Sequence, residues 1–337
     1  MATRILIPLA ALALALAQGG GKGPESQYGL DLRARKASEP EFTKDTRKFG
    51  VEVYADGATG DGLFVSEVGT LAAVPAKLFR PDDGKSKEPL WQHGLSLTVR
   101  PAGEKAWERG QKVSLEVFQD QTGGGLLYVS ERGALGAVPA KYASATAKGK
   151  PKNPKWTHAM ELKVRRAGDK GWDKAKRFSV EVFRDENNGT VIYVTEGGFA
   201  VVPAKLAAKD DTGKDPAFQH GLELAARKQG EREFTRGTKR YGVEVFLDGN
   251  TGHLVYLCET GALAVVPGKF ARATEAGVSK APDLRRAMDL RVRKAGQREF
   301  GKDCPRFGVE VYSDESNGNV IYLSETGELA AVPPKAE

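Results

Sequence analysis

Three of the four histidines, His93, His158 and His220, occupy one position of an internal repeat. Three imidazoles suffice for a zinc site if they meet around one ion. Carboxylates recur as well: Asp56, Asp120, Asp185, Asp248 and Asp314 in one column, Glu67, Glu131, Glu196, Glu259 and Glu325 in another. A pair of carboxyls about 5–10 Å apart, one with a raised pKa, would hydrolyse a glycoside. The stretch from Asp185 to Glu196 spans twelve residues, the length of an EF-hand calcium loop. An Arg column (Arg35, Arg100, Arg165, Arg227, Arg293) could present a basic row to an acidic polymer. Trp91, Trp156 and Phe218 stand two residues before the His column. They either anchor the incoming linker or offer faces on which a sugar stacks.

Recurrence weakens the catalytic readings. A property present five times is most simply a folding requirement of the unit, whereas a catalytic centre is normally assembled once. The calcium reading also fails in detail, because the fifth loop position is always Gly and the sixth is Asp61, Gly125, Thr190, His253 or Asn319. Asp bonding the turn backbone and Gly adopting positive φ explain the same residues as hairpin chemistry. The metal reading of the histidines requires the repeats to close around an axis, and a packing role is the simpler expectation. No catalytic, cofactor-binding or metal-binding residue is assigned. The Arg column, the three histidines, Trp91 and Trp156 are the candidate ligand-binding residues.

The elements that position these columns follow from the repeat, which decides architecture ahead of local pattern. The fullest copy is residues 178–203, FSVEVFRDENNGTVIYVTEGGFAVVP. Five repeats are expected at 27–77, 92–141, 157–205, 219–269 and 286–335, about 64 residues apart. Each reads as four strands, A to D. Leu30 and Leu32 alternate with Asp31, Arg33 and Arg35 in strand A, the mark of a half-buried strand. Strand A is also the most cationic element, and its Arg is expected to pair with the strand-B Glu (Glu52, Glu116, Glu181, Glu244, Glu310) or to remain a free basic row. Strands B and C are apolar on both faces, as Phe178, Val180 and Val182 against Phe183 show. A sheet apolar on both sides requires cover on both sides. The expectation is therefore an all-β chain of five four-stranded antiparallel repeats, with a five-bladed β-propeller favoured over a linear array.

The N-terminus reads as a secretory signal peptide, residues 1–17. Arg4 is the positive n-region, Ile5–Ala17 the apolar h-region, and Ala15-Leu16-Ala17 the cleavage site. A Gly-rich linker, 18–26, is expected to be disordered. No stretch has the length of a transmembrane helix. The net charge of +7 falls to +6 once Arg4 leaves, and the excess favours anionic partners. Outside the cytoplasm these are acidic polysaccharide or another extracytoplasmic protein, and nucleic acid is not expected. In an oxidising compartment Cys258 and Cys304 could form a bridge. Both nevertheless occupy columns that elsewhere hold Ser or Thr, which favours simple small-residue replacement. The functional expectation is a secreted or periplasmic, non-enzymatic protein that binds or scaffolds through repeated surfaces. A self-associating structural envelope protein is the alternative, and a carbohydrate-active hydrolase the weakest reading.

Overall fold

The structure is a computed structural model that describes residues 23–82, 87–144, 151–206, 214–272, 274 and 279–334. The expected signal peptide lies outside the described residues, as does 18–22 of the expected linker. Its last two residues, Glu25 and Ser26, already belong to the first strand.

Each repeat forms one four-stranded antiparallel meander. Blade 1 contains β1 (Glu25–Ala34), β2 (Arg47–Ala55), β3 (Gly62–Ser66) and β4 (Leu71–Val74). Blade 2 contains β5 (Leu90–Val99), β6 (Gln111–Gln119), β7 (Leu126–Ser130) and β8 (Leu135–Val138). Blade 3 contains β9 (Lys155–Val164), β10 (Lys176–Arg184), β11 (Val191–Val194) and β12 (Phe199–Val202). Blade 4 contains β13 (Ala217–Ala226), β14 (Lys239–Leu247), β15 (Leu254–Cys258) and β16 (Leu263–Val266). Blade 5 contains β17 (Asp283–Arg291), β18 (Arg306–Ser313), β19 (Val320–Ser324) and β20 (Leu329–Val332). No helix among the described residues is long and apolar enough to cross a membrane.

The hairpin between the second and third strands shows why the repeat keeps Asp and Gly. Each hairpin Gly has φ between 69° and 82°, where a Cβ is strained. Its N–H donates to the carbonyl of the hairpin Asp, at 2.6 Å for Gly189 and 2.8 Å for Gly252. One oxygen of the Asp carboxylate accepts the N–H two residues on, as Asn187 donates to Asp185 at 2.9 Å.

The blades close into a five-bladed propeller. The fourth strands lie innermost and neighbour one another in the cycle β4, β8, β12, β16, β20 and back to β4. Small residues let them approach: Ala72, Gly136, Ala200, Ala264 and Ala330 surround an axial space of only about 50 Å³. Both faces of every blade are covered, as the two-sided apolar pattern demands. Blade 1 packs on Phe118 and Leu127 of blade 2, which packs on Phe183 and Ile192 of blade 3. Blade 3 packs on Phe246 and Val255 of blade 4, and blade 4 on Tyr312 and Ile321 of blade 5. Tyr54 and Leu63 of blade 1 complete the circle against blade 5. A fully buried side chain of this kind contributes about 1.5–3 kcal/mol, so an unclosed array would leave its end faces in water.

Cys258 and Cys304 are free, buried thiols. Cys258 fills the inside of β15, where burial pushes its thiol up to about 11. Cys304 donates to Gln297 Oε1 at 3.2 Å. Each replaces the small residue of its column.

Candidate functional site

The first strands, outermost in each blade, share an irregularity that decides where the candidate residues point. A β-bulge inserts one extra residue in each, between Ser26 and Tyr28, Trp91 and His93, Phe218 and His220, and Leu284 and Arg286. Blade 3 has the same shift, where Trp156 and His158 pair with adjacent residues of β10. Residues two apart on a strand ordinarily share a face. The bulge breaks that rule, sending the aromatic to the seam with the preceding blade and the His to the seam with the following one.

The His column therefore does not converge on the axis. His93 Nε2 lies 2.8 Å from Asp185 Oδ2, His158 Nε2 3.1 Å from Asp248 and His220 Nε2 2.8 Å from Asp314. Each bond links a blade to the hairpin of the next. Tyr28 donates to Asp120 at 2.6 Å and Arg286 pairs with Asp56, so the two end repeats preserve the bond with other donors. The third-strand tyrosines reinforce it: Tyr128, Tyr193, Tyr256 and Tyr322 donate to Asp185, Asp248, Asp314 and Asp56. Blade 1 has Phe64 at that position, and there Tyr28 supplies the phenol. These carboxylates are at most 1% exposed. Burial alone would raise Asp185, but its bonds to His93 and to Asn187 outweigh burial and hold it below the ordinary carboxylate value. Burial and the charge of Asp185 push the Tyr128 hydroxyl well above 10, keeping it a donor. Among the described residues no three His, Cys, Asp or Glu side chains are grouped to hold a metal.

The Arg column is also tied down, though not within its own repeat. Each guanidinium forks onto the second-strand Glu of the following blade: Arg35 to Glu116, Arg100 to Glu181, Arg165 to Glu244, Arg227 to Glu310 and Arg293 to Glu52. For Arg100 the two bonds are 2.7 and 3.1 Å. The Glu residues are at most 2% exposed, so each pair neutralises a buried charge. Such pairs are poor evidence of net stabilisation, but removing one partner costs about 3–5 kcal/mol. The row of free cations imagined from the sequence is absent. In its place are five inter-blade clamps.

Over each clamp lies exposed aromatic surface. Trp91 and Trp156 are integral to β5 and β9, and their indole N–H groups donate to Glu116 and Glu181 at 2.8 Å. Their rings meet the aromatic of the preceding blade's A–B connection edge to face. Phe42 and Trp91 centroids are 5.6 Å apart, Trp107 and Trp156 6.0 Å, and Trp172 and Phe218 5.2 Å. The clamp guanidinium lies against the ring, 4.4 Å from the Trp107 centroid. Seven of the large exposed apolar side chains stand at these seams, Trp91, Trp107, Trp156, Trp172, Phe218, Phe234 and Phe300, and all are 37–44% exposed. The connecting aromatic (Phe42, Trp107, Trp172, Phe234, Phe300) recurs once in every repeat of the sequence. Its pairing with the aromatic of the next blade was not legible there.

Charge gathers in the same place. Residues 36–48, 101–112, 166–177, 228–240 and 294–306 are the A–B connections beyond the clamp arginines, with the first residues of each second strand. They carry 21 Lys and Arg against 11 Asp and Glu. That excess of ten is larger than the +7 of the whole chain, so the remainder of the propeller is slightly acidic. A cavity of about 620 Å³ wraps the outer strand of blade 1 and opens to the seams on both sides of it. No family model, curated protein or solved structure matches this chain.

Proposed function

We propose that this is a secreted, non-enzymatic lectin-like protein that holds an acidic polysaccharide at several blade seams at once. The observation that carries the reading is the set of perpendicular aromatic pairs left 37–44% exposed over rigid Arg–Glu clamps. The rings pack on the clamps yet keep more than a third of their surface exposed, and a pyranose has an apolar face that an aromatic ring can cover. The clamp fixes the ring and needs no ordering on binding, which lowers the entropic cost of recognition. The cationic connections beside the rings favour a polyanion, and repetition around the rim supplies avidity for a polymer. The non-enzymatic part of the reading is supported by the carboxylates of both seam bands, which are saturated by donors and serve as fixed struts. Secretion belongs to the proposal through the sequence of residues 1–17.

Affinity electrophoresis through gels containing polygalacturonate tests the reading. The wild-type protein is expected to be retarded, and less so as salt rises. Trp107→Ala with Trp172→Ala should reduce the retardation by about tenfold or more in apparent affinity, as loss of two aromatic platforms implies. Unchanged retardation would remove the seam aromatics from any binding role. Assembly of the wild-type protein with rising concentration and no polysaccharide would instead identify a self-associating structural component.

A further inference from the structure

The five seams are not equivalent, and the one that closes the ring differs most. At the seam between blades 5 and 1, Ser26 stands where Trp91, Trp156, Phe218 and Leu284 stand elsewhere. Its Oγ donates to Glu52 Oε1 at 2.8 Å, preserving the indole's hydrogen bond without its bulk. Its acceptor Glu52 and the clamp residue Arg293 line the cavity of about 620 Å³, within the 300–1,000 Å³ range of ligand sites.

The walls of this cleft carry charge that folding does not require. Arg33 of β1 and Lys48 of β2 are direct cross-strand partners, and like charges placed opposite one another are destabilising. Neither joins an ion pair among the described residues. Arg298, from the last A–B connection, lines the same cavity. Of the acids lining it, Glu52 holds Arg293 and Asp31 accepts the Gly296 N–H at 2.9 Å, while Glu88 stands on the blade 2 side of the same cavity. Lys163 and Arg177 repeat the like-charge pair in blade 3 and Arg291 and Arg306 in blade 5, but there Trp156 and Leu284 take the place of Ser26. Phe300, 37% exposed, lies against the lining residue Arg293, whose guanidinium is 5.1 Å from the ring centroid.

Resting on the lectin reading above, we infer that the seam between blades 5 and 1 is a separate subsite for a carboxylate-bearing pyranose. Arg33, Lys48 and Arg298 receive the carboxylate, and the sugar ring occupies the room that an indole takes in blades 2 and 3. The other seams recognise rings by stacking and tolerate neutral sugars.

Calorimetry with trigalacturonate and with its carboxyl-reduced, neutral counterpart tests this. Ser26→Trp and Arg33→Thr install residues that the repeat already carries at Trp91 and Thr98, so both variants keep the fold. Each is expected to weaken trigalacturonate binding by about tenfold, the worth of one charge-assisted contact; Arg33→Thr leaves binding of the neutral trisaccharide unchanged, and Ser26→Trp, which adds a stacking ring, leaves it unchanged or stronger. If both variants bind trigalacturonate like the wild type while the Trp107→Ala, Trp172→Ala protein binds it poorly, the lectin reading stands and this subsite does not exist. If the wild type binds neither trisaccharide, both readings fall.

Discussion

Glu328 behaves unlike the other carboxylates. It sits in the last tight turn of blade 5, where the other repeats place Thr70, Ala134, Gly198 and Ala262. Burial pushes it from the ordinary 4.5 up to about 7. Between those values the folded chain binds more protons than the unfolded one, so this residue makes stability decline as pH rises through that window. Its stabilising contribution is complete below about 4.5 and gone above about 7. Glu328→Gln should therefore stabilise the protein by about 1–3 kcal/mol at pH 8 and leave it unchanged at pH 4, read as melting temperature against pH. Asp185 and Asp248 act in the opposite sense. Both are held low despite burial, through bonds to His93 and His158. The stability they give is present above the ordinary Asp value of 3.8 and is lost as the pH falls further. The wild type should thus be most stable in mildly acidic solution.

At the scale of the element, the hairpin and the bulge show how unequally sequence reports on structure. Gly252 is legible from sequence because an Asp-x-x-x-Gly loop between alternating strands has few solutions. It has φ 69°, and a Cβ there would meet no atom within 4 Å. Gly252→Ala isolates the backbone term and should lower stability by about 1–2 kcal/mol with no change in the native structure, measured by denaturant unfolding. The bulge has no such signature. Gln92, Thr157 and Gln219, its extra residues, are ordinary strand residues, and their insertion is visible only as a shift in pairing. Without it, Trp91 and His93 read as neighbours on one face. With it, one is exposed in a cleft and the other is fully buried.

For the whole molecule, closure is the consequence of two-faced blades. Blade 5 covers blade 1 through Arg293–Glu52, Tyr322–Asp56 and the packing of Tyr54 and Leu63. A chain ending at residue 280 would lose these partners and expose one apolar face on blade 4 and one on blade 1. It should fail to form a stable monomer, seen as aggregation or self-association by light scattering, whereas the full chain should scatter as a compact disc. Exposure of such faces is the direct measure of what the fifth repeat contributes.

Sequence by itself determined the number of units, their four strands, the hairpin chemistry and the need for cover on both faces, because these are local or periodic properties. Tertiary structure alone decided which columns meet. In a strict repeat every Arg has a Glu in its own unit and an identical Glu in the next, so pairing within and between blades is indistinguishable in one dimension. Arg100 could have bonded Glu116; the geometry gives it Glu181. The same degeneracy hid the His–Asp struts and the aromatic pairs. It is lifted only by packing, since strands apolar on both faces bury both faces only when each blade presses its side chains into the seam of its neighbour.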